Sequence, residues 1–194
     1  MGDMRKEDSR LPVASSQLPI SVHLRAVRSV RYLLEMAEPN VSLSSLTDEE
    51  KRCLELMQSL LSSLPDDAAQ LTLKRNSSGL IFQLTPANKR SAAFGIHYDG
   101  CVDVFFGDFG TTFEVPFGTG QPMDSFDAAL ALVKRAGHAV IAGKCRERAG
   151  FAGVRGTVEI DGRPYRVTHF LHFRLFPKTL HYEPYVPEAL TSAS

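Results

Sequence analysis

The feature that most constrains this chain is a change of hydrophobic period near Leu71, from three or four residues before it to two residues after it. Five strand-like runs follow the change: Leu71-Thr72-Leu73-Lys74, Leu80-Ile81-Phe82-Gln83-Leu84, Phe94-Gly95-Ile96-His97-Tyr98, Cys101-Val102-Asp103-Val104-Phe105-Phe106 and Thr111-Thr112-Phe113-Glu114-Val115. The connections are turns such as Asn76-Ser77-Ser78-Gly79, Asp99-Gly100 and Gly107-Asp108-Phe109-Gly110. Loops this short do not accommodate parallel crossovers, so the runs predict an antiparallel meander. Asp99-Gly100 favours the left-handed torsions of a type I′ turn and is the strongest hairpin signal present.

Two helical patterns precede the strands. Ile20, Leu24, Val27, Val30, Leu34 and Ala37 form one apolar face, with Arg25, Arg28 and Arg31 on the other, and Pro39-Asn40 ends the pattern. The basic stripe reads as a solvated face. The second helix starts at Thr47 with Glu50 three residues on, a capping box, and Asp48 and Glu49 fill its positive first turn. Its apolar face is Cys53, Leu56, Met57, Leu60, Leu61 and Leu64, and Leu64-Pro65 closes it. The two helices are expected to pair antiparallel.

Beyond the meander, residues 116–123 form a Gly/Pro-rich connection, and Asp124 or Ser125 caps a helix with Phe126, Ala129, Leu130 and Val133 on its apolar side. Gly137 is its expected stop, although Val140 and Ile141 would extend the stripe, so residues 138–145 are open between helix and strand. Residues 154–160, a turn at Asp161-Gly162-Arg163-Pro164 and residues 165–175 read as a closing hairpin.

The expected fold is α+β: an N-terminal helix pair, an antiparallel β-meander, one helix packed on the sheet and a closing β-hairpin. Residues 1–18 read as a disordered leader, 19–176 as a single domain (helical over 20–64, sheet and helix over 70–176) and 177–194 as a surface tail. The expected core includes Leu60, Leu64, Leu73, Phe82, Ile96, Val104, Phe106, Phe113, Leu130, Val133 and Val158. At 194 residues and 43% hydrophobic, the chain has material for one such core. It has no apolar run of about 18 residues and no signal-peptide core, and Lys6 stands where a myristoylation pattern needs Ser or Thr; a cytoplasmic location without membrane contact is the expectation.

Charge is balanced in total, with 22 basic and 22 acidic residues, but sorted along the chain. Residues 91–133 hold no Lys or Arg but carry Asp99, Asp103, Asp108, Glu114, Asp124 and Asp127. Residues 134–178 carry Lys134, Arg135, Lys144, Arg146, Arg148, Arg155, Arg163, Arg166, Arg174 and Lys178 against Glu147, Glu159 and Asp161. Such sorting predicts one acidic and one basic surface, and fields of this kind steer association.

No run of residues specifies a reaction. Asp108-Phe109-Gly110 spells the metal-binding triplet of protein kinases but lacks their other parts, and Gly118-Thr119-Gly120 lacks the ending of a phosphate-binding loop. His169, His172 and His181 cluster in sequence, yet residues three apart on a strand face opposite ways. His169 reads as a core histidine. Cys53, Cys101 and Cys145 are an odd, widely spaced set that fits neither disulfides nor a zinc site; Cys145 lies among Lys144, Arg146 and Arg148, which would favour its thiolate. No metal and no cofactor is expected.

The run Val104-Phe105-Phe106-Gly107-Asp108-Phe109 into Phe113, a helix opening Phe126-Asp127-Ala128-Ala129-Leu130 and ending near Gly137, and a following strand pair resemble small bacterial α+β proteins, some of them immunity proteins of polymorphic toxin systems. The resemblance covers about residues 94–170. Gly110, Thr111 and Thr112 stand where those proteins often carry histidines, so no histidine role transfers. The resemblance implies a compact protein that binds another protein through a charged face.

Three functions compete. The first is a non-enzymatic, immunity-type module that blocks a cationic partner through Asp99, Asp103, Asp108 and Glu114. The second is a small-molecule binder or hydrolase using His97, Cys145 or His172. The third is nucleic-acid binding through Arg146, Arg148, Arg155, Arg163 and Arg166, with Phe151 and Tyr165 interleaved; a pI near 7.0 weighs against it.

Overall fold

A computed structural model describes residues 41–115, 125–151, 153–169 and 176–186. The expected leader, the helical pattern over 20–37, Gly118-Thr119-Gly120, Asp124, His172 and the side chain of His169 lie outside the described residues. Within them the fold is α+β, with two helices and two antiparallel sheets.

After a single 3₁₀ turn at Leu43–Ser45, helix α1 spans Asp48–Ser62. Its capping box forms as the sequence indicates: the Glu50 amide donates to Thr47 Oγ1 at 3.2 Å, and the Thr47 amide donates to Glu50 Oε2 at 2.9 Å. Glu50 also receives Arg75 Nη2 at 3.0 Å, tying the helix to the first strand. Burial pushes the Glu50 carboxyl upward, but the bonds from Arg75 and the Thr47 amide outweigh it and hold the group below the ordinary range. Cys53, Met57 and Leu60 on α1 are fully buried.

Strands β1 (Ala69–Asn76), β2 (Gly79–Pro86), β3 (Phe94–Tyr98), β4 (Val102–Phe106) and β5 (Thr111–Val115) make the expected meander, paired in chain order. One turn differs from expectation. Tyr98 pairs with Val102, so Cys101 belongs to a three-residue loop with Asp99 and Gly100, and only Gly100 has positive φ there. The type I′ geometry occurs instead at Asp161 (φ 52°) and Gly162 (φ 72°), between Ile160 and Arg163.

Helix α2 spans Phe126–Ile141 and packs between β3, β4 and β5 on one side and the strand Gly153–Ile160 on the other. It does not stop at Gly137. The helix runs on to Ile141 and ends in a Schellman motif, in which the Gly143 amide donates to Val140 O, the Lys144 amide donates to Ala139 O, and Gly143 takes φ +71°. Gly137 is buried where α2 meets α1, and a Cβ there would stand 2.6 Å from Leu60 Cδ1 and 3.0 Å from Phe94 Cε1. Its lack of a side chain serves close packing, not termination. Residues 138–145 thus divide into helix up to Ile141, a turn, and strand from Cys145.

The expected closing hairpin is part of a second sheet, ordered β8-β7-β6-β9, from β6 (Cys145–Gly150), β7 (Gly153–Ile160), β8 (Arg163–His169) and β9 (Lys178–His181). Residues 177–186 are therefore not a surface tail. β9 pairs with β6, Tyr182 and Tyr185 are buried, and the Tyr185 hydroxyl donates to Ala92 O at 2.8 Å. Of the expected core, Leu60, Phe82, Ile96, Val104, Phe106, Leu130, Val133 and Val158 are buried, while Leu64, Leu73 and Phe113 pack against it partly exposed. Among the described residues, no helix is long and apolar enough to cross a membrane.

Candidate functional site

Strand β6 alternates strictly: Cys145, Glu147 and Ala149 are buried, and Arg146 and Arg148 are exposed. The register carries this alternation across the sheet. Arg148 pairs with Arg155 and Thr179, Arg146 pairs with Thr157 and His181, and Thr157 pairs with Arg166. Arg146, Arg148, Arg155 and Arg166 consequently share the outer face, with His181 at its β9 side and Glu159 toward one end. Arginines two apart on a strand stand about 7 Å from each other, and like charges directly opposite on neighbouring strands destabilise a sheet. No ion pair neutralises any of the four among the described residues.

Arg163 is not part of this face. It pairs with Ile160 on the opposite alternation, together with Tyr165. Phe151, 75% exposed, follows β6, and Phe176, 84% exposed, precedes β9; the pairing of Ala149 with Lys178 puts both at the same end of the sheet.

The four acidic candidates do not gather on one surface. Asp99 and Asp108 lie in the turns at opposite ends of β4. Asp103 and Glu114 are cross-strand neighbours on the face of the five-stranded sheet turned away from the helices. Asp103 is mostly buried beside His97, with Nδ1 3.5 Å from Oδ2.

Behind the arginine face stands a group that sequence reasoning misses. Glu147 is fully buried, and its carboxylate accepts from the Phe109 amide at 2.9 Å, the Thr111 amide at 3.0 Å, Thr111 Oγ1 at 2.5 Å and the Tyr182 hydroxyl at 2.5 Å. The Tyr182 oxygen in turn accepts from the Asp108 amide at 2.8 Å. Burial, with the Glu147 charge next, pushes the Tyr182 hydroxyl upward, so it stays a proton donor. A side chain at Gly107 would collide with this carboxylate. The cluster fastens the Gly107-Asp108-Phe109-Gly110 turn of the first sheet to β6 of the second. Its signal in the sequence is the alternation Cys145-Arg146-Glu147-Arg148-Ala149, which puts a lone acid among inward positions.

The Cys145 thiol is not activated. Burial, and then the Glu147 charge, pushes the Cys145 thiol up to about 12, against the expectation that neighbouring cations favour its thiolate; those cations point outward. Burial does the same to Cys53. No group of three or more His, Cys, Asp or Glu side chains stands within reach of one metal ion among the described residues. Compared with known proteins, the chain matches no family model, no curated protein and no solved structure.

Proposed function

We propose that the protein is a non-enzymatic binding module that holds a nucleic-acid strand on the outer face of its second sheet. The observation that supports this reading is the cross-strand pair Arg148–Arg155, flanked by Arg146 and Arg166 with no counter-ion among the described residues. Guanidinium forks bind phosphate bidentately, so a phosphodiester backbone offsets the repulsion that the bare face carries. Phe151 and Phe176 at one end of the face offer stacking surfaces to bases. A neutral total charge is compatible with this, because Asp99, Asp103, Asp108 and Glu114 are carried on the other sheet and its turns, and Glu159 stands only toward one end of the arginine face.

Titrating the full chain into a fluorescently labelled single-stranded oligonucleotide tests the reading by anisotropy. Four arginine–phosphate contacts predict that log K falls with log salt at a slope of about −3, from about −0.7 per contact. Absence of binding at about 50 mM salt would refute it.

A further inference from the structure

The outer face of the second sheet surrounds one side chain with cations. Thr157 stands at the middle of β7, half-buried, on the same outward alternation as Arg155. Its cross-strand partners are Arg146 on β6 and Arg166 on β8, each with its Cα about 5 Å away. Arg155 precedes it by two residues, about 7 Å along the strand, and Arg148 lies diagonally beyond, opposite Arg155. All four arginines are exposed. The remaining side of Thr157 is closed by Glu159, two residues further on, which is exposed and makes no ion pair among the described residues. Past Glu159 the strand ends at the Asp161-Gly162 turn, whereas Phe151 and Phe176 mark the opposite end of the sheet. Cations thus stand on three sides of Thr157 and an acid on the fourth.

We propose that this arrangement receives the terminal phosphate of a nucleic-acid strand, an inference that rests on the nucleic-acid reading above. A strand entering past the phenylalanines meets Arg148 and Arg155 first, and then Arg146 and Arg166 on either side of Thr157. The next side chain along β7 is the Glu159 carboxylate, which repels a further phosphodiester. The positive ground therefore stops where its charge is densest, and a backbone running on would pass from cations onto an acid. A terminal phosphomonoester suits this stop better than an internal linkage. It carries about −1.5 to −2 at neutral pH, against one negative charge for a phosphodiester, and it presents three free oxygens as acceptors. The guanidinium forks of Arg146, Arg155 and Arg166 approach it from three sides, with the Thr157 side chain beneath. The 5′ and 3′ ends share this chemistry, and the test separates them.

The test measures the anisotropy of one single-stranded oligonucleotide with the full chain, the label on an internal base and the ends in three forms: 5′-phosphate, 3′-phosphate, and hydroxyl at both ends. At least one phosphorylated form is expected to bind about tenfold tighter than the hydroxyl form at about 50 mM salt, and its identity names the end that is held. In the Arg166→Gln variant that preference is expected to fall at least about threefold, with the circular dichroism of the sheets retained. Equal binding of the three forms overturns the proposal and leaves the nucleic-acid reading standing. Binding of none refutes that reading and the proposal with it. A preference that Arg166→Gln leaves unchanged also overturns the proposal, because the phosphate then sits elsewhere.

Discussion

At the scale of single residues, Glu147 holds the two sheets in register. Its carboxylate accepts from four donors, and leaving a buried donor unpaired costs about 1–3 kcal/mol. Tyr182→Phe removes one charge-assisted bond and is expected to cost about 2 kcal/mol in urea unfolding, with Glu147→Ala costing about 3–5 kcal/mol. A neutral Tyr182→Phe would show that the cluster is not a fastening. The buried thiols make a separate prediction. Cys53 and Cys145 are raised from 9.0 to about 12 in the folded chain, so the unfolded chain loses these protons first. Their contribution to stability is therefore full below pH 9.0 and declines as pH rises from there toward about 12. Replacing both by Ala should remove that part of the alkaline decline in urea midpoints.

At the scale of elements, the meander, the capping box at Thr47 and the α2 start at Ser125 are legible in the sequence, because each depends on residues close along the chain. What is not legible depends on distant partners. Gly137 looks like a helix stop, but its position against Leu60 and Phe94 has no local signature. Strand β9 is four residues long and becomes a strand by pairing with β6, which itself reads as a charged stretch. The buried Tyr182 and Tyr185 predict that a chain ending at residue 176 is destabilised by several kcal/mol, about 2–3 for each side chain lost from the core. An unchanged melting temperature would restore the surface-tail reading. Gly143→Ala should cost more than the about 1–2 kcal/mol of its left-handed torsion, because its Cβ would also stand 2.7 Å from the backbone nitrogen of Pro184, and the same melts read it.

At the scale of the whole molecule, the sorting of charge along the chain becomes a division between sheets, but unevenly. The basic stretch yields one face because strand alternation and antiparallel register bring Arg146, Arg148, Arg155 and Arg166 together. The acidic stretch yields no single face, because its members fall in turns at opposite ends of β4 and on the far side of the sheet. Sequence order alone does not distinguish these outcomes; register does. The most direct measurement compares oligonucleotide binding by the unaltered chain, an Arg148→Glu/Arg155→Glu variant and an Asp99→Lys/Asp108→Lys variant at low salt. The account predicts at least a tenfold loss for the arginine variant, a salt slope shallower by about 1.4, and no loss for the acidic variant. Equal binding by the arginine variant and the unaltered chain would contradict it.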